Sequence, residues 1–230
     1  MGGGRRRLST IVFDLDGTLV RYHGIEFESS WGAVAAAAGV GERSRALLAD
    51  YLPRPEAYAE WVARDASLLA GVRIADVAAQ VLPAPYAEGV VEAIAALRGR
   101  YRMGILSSGV DFVADWVCKD LGLDFSLANH IHVCDGRFTG TAETVVDLWA
   151  KDRALRALAA ERETDLAEVC FVGDHVNDIA AMRIVGLAVA ANPKERQVAE
   201  AAAFVIESFL ELPPLLDSWR RSPAAHSGSV

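Results

Sequence analysis

Residues 11–20 read IVFDLDGTLV, an apolar run that ends in two carboxylates, Asp14 and Asp16, followed by Gly17 and Thr18. A short β-branched run with no polar alternation is the pattern of a strand covered on both faces. Four readings suit its acidic end. It can be a solvated turn, since Asp and Gly are ordinary turn residues. It can be a calcium loop, a charge pair without a role, or a metal-assisted phosphoryl-transfer site. The calcium reading fails on counting. An EF-hand loop wants Asp or Asn fifth, Gly sixth and Glu twelfth. From Asp14 those places hold Thr18, Leu19 and Ile25.

Four similar runs follow at residues 102–109 (RMGILSSG), 169–174 (VCFVGD), 186–191 (GLAVAA) and 203–208 (AFVIES). Helical segments lie between them, for example VDFVADWVCKDLG, which ends at a glycine C-cap, Gly122. Alternating strands and helices predict an α/β protein with a doubly wound, Rossmann-like parallel sheet. Residues 9–21 and 86–212 form that core. Residues 22–85 carry four helical stretches and no strand, which predicts a helical cap inserted after the first strand. HIHVCDGRFTGTAE alternates around Asp135-Gly136 and predicts a β-hairpin. The ends, 1–8 and 213–230, read as flexible.

Composition narrows the function. The chain has 230 residues, 52% of them apolar, and a net charge of −8. An acidic chain without a basic stripe is not expected to bind nucleic acid. No run of 18 apolar residues marks a membrane span, and the N-terminal stretch lacks the apolar segment of a signal peptide. Cys118, Cys134 and Cys170 form no metal or disulfide pattern. A reducing, cytoplasmic setting is expected, with the protein a monomer or homodimer.

In a parallel sheet the strand ends share one edge, where such folds bind ligands. Asp14, Asp16, Ser107 and Asp174 therefore converge although they are far apart in sequence. Mg²⁺ takes oxygen ligands, a few carboxylates and the substrate phosphate. A carboxylate can attack phosphorus, and a second can move the proton. Charge neutralisation dominates phosphoryl transfer. Lys151, the SSG loop at 107–109 and the GDHVND loop supply it.

These residues resemble the motifs of the haloacid dehalogenase-like hydrolases, in their phosphatase branch. DLDGT matches Asp-x-Asp-x-Thr, ILSSG the strand ending in Ser or Thr, Lys151 the third motif, and GDHVND the fourth. Their order agrees, with 93 residues from Asp14 to Ser107, 44 to Lys151 and 23 to Asp174. The resemblance spans about residues 9–212. It implies Asp14 as nucleophile, Asp16 as general acid/base and Lys151 as the neutralising cation. It implies that Thr18, Ser107, Ser108, Gly109 and Asn177 hold the loop and the phosphate. It places Mg²⁺ on Asp14, Asp174 and the Asp16 carbonyl, with Asp178 steadying the metal shell or Lys151. Dehalogenating members lack the second Asp, so Asp16 implies phosphate chemistry.

The likeness is closer to the phosphoserine-phosphatase-like branch, which shares the helical insert and the VCDGRFTG hairpin. The substrate is then a small phosphorylated metabolite. That branch has Glu nine residues after the nucleophile, where this chain has His23. It has Arg near RDASLL, where Arg64 stands one place off. His23 and Arg64 are accordingly expected to bind substrate. Tyr58 and Trp61 read as packing residues of the insert or as pocket wall. Two rivals share the scaffold: a phosphotransferase, and a non-catalytic binder of a phosphometabolite.

Overall fold

A computed structural model describes residues 7–221. The chain runs β1 (Thr10–Phe13), α1 (Ser30–Ala37), α2 (Gly41–Tyr51), α3 (Tyr58–Leu68), α4 (Ile74–Val81), α5 (Val90–Leu97), β2 (Arg102–Val110) and α6 (Asp111–Leu121). It continues through β3 (Phe125–Cys134), β4 (Arg137–Glu143), α7 (Lys151–Glu161), β5 (Val169–Gly173) and α8 (Ile179–Met182). It closes with β6 (Leu187–Ala191), α9 (Arg196–Ala201), β7 (Phe204–Ile206) and α10 (Leu212–Arg221).

The strands form one seven-stranded sheet in the order β4-β3-β2-β1-β5-β6-β7. All neighbours are parallel except β3 and β4. The α/β, doubly wound expectation holds. Ile11 and Phe13 bury into one core with Ile105, Val172 and Val189, while Val12 enters a second with Leu106, Phe171 and Ala190. Successive side chains of a strand point to opposite faces. Both faces carry a core here, which is why the strands are apolar without alternation.

Two features position the site. First, β2 and β5 flank β1, with Phe13 level with Ile105 and Val172. The residues just past these strands meet at one edge. Second, the helical insert leaves and returns at one point. Arg21 N–H donates to the Pro85 carbonyl (2.8 Å) and Ala87 N–H to that of Leu19 (2.9 Å). Helices α1–α4 are thus anchored beside the end of β1.

The hairpin forms at Asp135-Gly136, both with positive φ (50° and 72°), the geometry of a two-residue type I′ turn. Its strand β4 also holds the insert, since Gly71 N–H donates to the Phe138 carbonyl (2.8 Å) and Phe138 N–H to that of Val72 (3.0 Å). The first half of β3, parallel to β2, was not foreseen, because Ser126 and Asn129 interrupt its apolar run.

The expected flexible ends need correction within the described residues; residues 1–6 and 222–230 lie outside them. Leu8 is buried in the core. Residues 212–221 form α10, whose Leu212, Leu216 and Trp219 are buried at helical spacing. Pro213 and Pro214 suggest a break, yet at the first turn of a helix a missing N–H costs nothing. Leu216→Ala should accordingly cost about 2–5 kcal/mol, read as a lower urea midpoint. A loose tail would show no change.

Candidate active site

The acidic cluster is built on strand ends. Asp14 follows β1 and its N–H donates to the Val172 carbonyl of β5 (2.9 Å). Asp174 follows β5. Asp14, Asp174 and Asp178 offer carboxylate oxygens all within 4.8 Å of one another, and all three side chains are buried. Thr18 donates to Asp174 Oδ1 (2.8 Å). Gly17 has φ +81°, and a Cβ there would strike Asp174 Oδ2, so the loop after β1 needs glycine to let this carboxylate in.

Lys151, at the start of α7, is fully buried beneath the cluster. Its Nζ donates to Asp178 Oδ1 (2.6 Å) and forms an ion pair with Asp14 Oδ1 at 2.8 Å. Burial alone would pull its pKa down, but the charges of Asp14 and Asp178 outweigh that and raise it. It stays a cation. Both oxygens of Asp178 are engaged, Oδ2 by the N–H groups of Asp174 (3.0 Å) and His175 (3.2 Å). Asp178 therefore holds Lys151 and the loop in place.

Asp16 sits under the insert. Ser30, the first residue of α1, donates to its Oδ2 (2.7 Å) and accepts from Val110 N–H (3.2 Å). A Cβ on Gly109 would stand 2.5 Å from Ser30 Oγ and 2.6 Å from Asp16 Oδ2, so only glycine packs there. Ser107 is buried, and its hydroxyl accepts from Gly109 N–H (3.0 Å). The Ser108 carbonyl takes three donors: Trp31 Nε1 (3.0 Å), Tyr58 Oη (3.1 Å) and Asn129 Nδ2 (2.8 Å). Two come from the insert and one from β3, so the irregular end of β2, where its register shifts between Leu106 and Val110, is clamped from both sides.

Burial is the leading influence on these acids. It pushes Asp14 up to about 6, with Asp178 raising it further and Lys151 opposing. It pushes Asp16 up to about 7, against the hydrogen bond from Ser30, and Asp174 well above the usual carboxylate range. Asp16 Oδ1 is buried without a hydrogen-bond donor, and Asp14 Oδ1 has the Lys151 ammonium beside it. Unpaired buried carboxylate oxygens are costly. An all-oxygen set of this kind fits a hard divalent cation, so the residues present suit such an ion.

A cavity of about 560 Å³ opens between the strand ends and the insert. Of the residues expected in the site, Asp14, Asp16, Ser107, Ser108, Gly109, Asp174 and Asn177 line it. Thr18, Lys151 and Asp178 lie behind them. His23 and Arg64 are not brought in. The His23 side chain is 79% exposed and lies 3.7 Å from Glu28. Arg64 points outward from α3 and pairs with Glu60 (3.5 Å). The helical period is the reason: the next residue, Asp65, takes the inward place. Sequence reading missed Ser30, Trp31 and Asn129. An Asn inside the strand-like run FSLANHIHV was the one local signal.

Comparison with known proteins matches this architecture. Residues 11–183 fit the model of the haloacid dehalogenase-like hydrolase family. The chain belongs to that family. It is 34% identical over 209 residues to a phosphoserine phosphatase of Streptomyces coelicolor, covering 87% of this chain and 48% of that protein. It is 29% identical to the phosphoserine phosphatase of Methanocaldococcus jannaschii, covering 80% of this chain and 86% of that protein. It thus spans about half the length of the Streptomyces relative. A solved structure of a phosphoserine phosphatase with an analogue of its phospho-aspartyl intermediate superposes with TM-score 0.74 at 28% identity, over 91% of this chain and 99% of that one.

Proposed function

We propose that this chain is a Mg²⁺-dependent hydrolase of a small phosphomonoester, working through a phospho-aspartate on Asp14. One observation carries the reading. The buried Asp14 carboxylate lines a cavity, ion-paired with Lys151 and accompanied there by Asp16 and Ser107. The named relatives support the same chemistry.

Asp14 and Asp174 would hold the ion together with the Asp16 carbonyl. When bound it neutralises charge on the phosphoryl oxygens and the carboxylates. Ser107 and the backbone of the following loop orient the phosphoryl group. An Asp14 carboxylate oxygen bonds to phosphorus as the phosphorus–oxygen bond to the leaving alcohol breaks. Asp16 gives its proton to the departing oxygen. It then takes one from the water that attacks the phospho-aspartate, which releases phosphate and restores both acids. Lys151 keeps Asp14 ionised for attack. The insert excludes bulk water from the site.

The Asp16 shift gives a pH test. The first step needs Asp16 protonated, and its pKa lies at about 7. Turnover of alkyl phosphates should therefore fall as pH rises above that value. p-Nitrophenyl phosphate expels p-nitrophenolate, which departs without a proton, and should show a flatter profile on this limb. Equal alkaline limbs for both esters would contradict the assignment of Asp16. Phosphate release from a panel of phosphoesters, with and without Mg²⁺, tests the activity itself. Product analysis with added alcohols separates hydrolysis from transfer, and binding without any release would favour a sensor.

A further inference from the structure

The cavity holds a charge that the chemistry above does not use. Asp65 lines it from α3, is only 7% exposed, and its Oδ1 has no hydrogen-bond donor. Burial pushes its carboxyl up to about 6, against side-chain hydrogen bonding from Ser44 and Trp61, so it is mostly ionised at neutral pH and, among the described residues, has no cation beside it. A buried carboxylate without a cation is destabilising, and a fold keeps one cheaply only if something pairs with it.

Its neighbours suit one kind of partner. Tyr58, Trp61 and Asp65 recur at i, i+3 and i+7, one face of α3, and all three line the cavity. Tyr58 and Trp61 meet edge to face, with centroids 5.9 Å apart, and Trp31 and Trp149 add further aromatic wall. Tyr58 touches the Ser108 carbonyl, so this wall runs from the phosphate loop up to Asp65. Aromatic faces beside a carboxylate attract ammonium groups. The cavity as a whole is lined by six carboxylates against Arg45, Lys194 and one imidazole, His175, which lies 3.7 Å from Glu195. Arg45 and Lys194 are exposed, and Lys194 lies 3.4 Å from Glu28.

We infer that Asp65, with the aromatic wall of α3, selects phosphoesters whose alcohol carries a cationic nitrogen and no carboxylate. The inference rests on the phosphomonoesterase reading and names its substrate class. Where Arg64 would have read a substrate carboxylate, the side chain that faces the cavity has the opposite charge. A carboxylate-bearing leaving group would meet repulsion there.

The test is a ladder of ω-aminoalkyl phosphates of two to six carbons, each paired with the uncharged n-alkyl phosphate of equal length, with O-phosphoserine and p-nitrophenyl phosphate alongside. At least one aminoalkyl ester should exceed its neutral partner in kcat/KM by ~10-fold or more, and should exceed O-phosphoserine. Asp65→Asn should erase that preference, mainly through KM, and leave p-nitrophenyl phosphate turnover unchanged. Asp65→Glu should keep part of it. Equal turnover of charged and neutral esters by the wild type would overturn the inference, as would preference for O-phosphoserine. A uniform loss across all esters in Asp65→Asn would mean that Asp65 only braces α2 against α3. The wild-type ranking needs no variant, so a variant that fails to fold leaves it decisive. No release from any ester, p-nitrophenyl phosphate included, would instead sink the phosphomonoesterase reading itself.

Discussion

Asp14→Asn is expected to lose turnover by ~10⁴-fold or more while gaining stability above neutral pH. An amide of the same shape cannot form the phospho-aspartate, so the chemical step has no nucleophile. The stability gain has a separate cause. Asp14 shares a buried site with Asp174 and Asp178 against one lysine. Its folded-state pKa is raised from 3.8 to about 6, by burial first and then by Asp178. An acid whose pKa is higher in the folded state binds more protons there than in the unfolded chain. Stability then falls as pH climbs from about 4 toward 6 and stays reduced above it. The asparagine variant carries no such penalty. In metal-free buffer its melting temperature at pH 8 should exceed that of the wild type, and the gap should close near pH 4. An equal gap at both pH values would show that the effect is packing and not charge.

Lys151→Met should produce the second large effect, in the opposite direction. The substitution roughly preserves the length of the side chain and removes the buried cation. Asp14, Asp178 and Asp174 then face one another without it, and breaking a buried pair costs about 3–5 kcal/mol. Turnover should drop about 10²–10³-fold, the scale seen when one charge-stabilising donor is removed. The pH dependence identifies the cause. Asp14 and Asp174, whose raised pKa values Lys151 opposes in the wild type, would be protonated more readily, so the folded state takes up protons that the unfolded chain does not. Stability of the variant should rise as pH falls from the alkaline side, and the deficit against wild type should shrink. Urea midpoints at pH 8 and pH 5.5 measure it. A deficit that is the same at both would mean that Lys151 serves as a packing residue.

Much of the fold was legible because burial on both faces removes alternation from parallel strands. IVF, RMGIL and VCFV carry that mark, and each ends where a polar residue meets the open edge. The Asp-Gly turn was equally legible, since its backbone conformation demands those residue types. The beginning of β3 was not, because Ser126 and Asn129 face partners supplied by distant segments. Asn129 illustrates the limit. It donates to the Ser108 carbonyl and accepts from the N–H groups of Val145 and Val146 (both 2.9 Å). No local pattern encodes a contact between three strand ends and loops.

The site divides along the same line. Asp14 and Asp174 sit where a strand stops and Ser107 where the regular pairing of β2 ends, and sheet topology alone brings them together. The cavity wall depends on which face of α3 turns inward, and there a single step decides. Arg64 and Asp65 differ by 100° around the helix, so one pairs with Glu60 in solvent and the other lines the cavity. His23 fails for a related reason, because its loop departs from the cavity wall at that residue, while Gly24 and Ile25 remain in it. Ser30 was missed because it serves two distant groups, Asp16 and the Val110 N–H, from the start of a helix whose sequence marks only a capped N-terminus.

The central claim is that Asp14 carries the phosphoryl group between two half-reactions. Mass spectrometry of protein quenched in acid during turnover tests it most directly. The account predicts one added phosphoryl group, on the peptide that contains Asp14, in the wild type and none in Asp14→Asn. Steady phosphate release with no adduct on that peptide, or an adduct that persists in the variant, would contradict it.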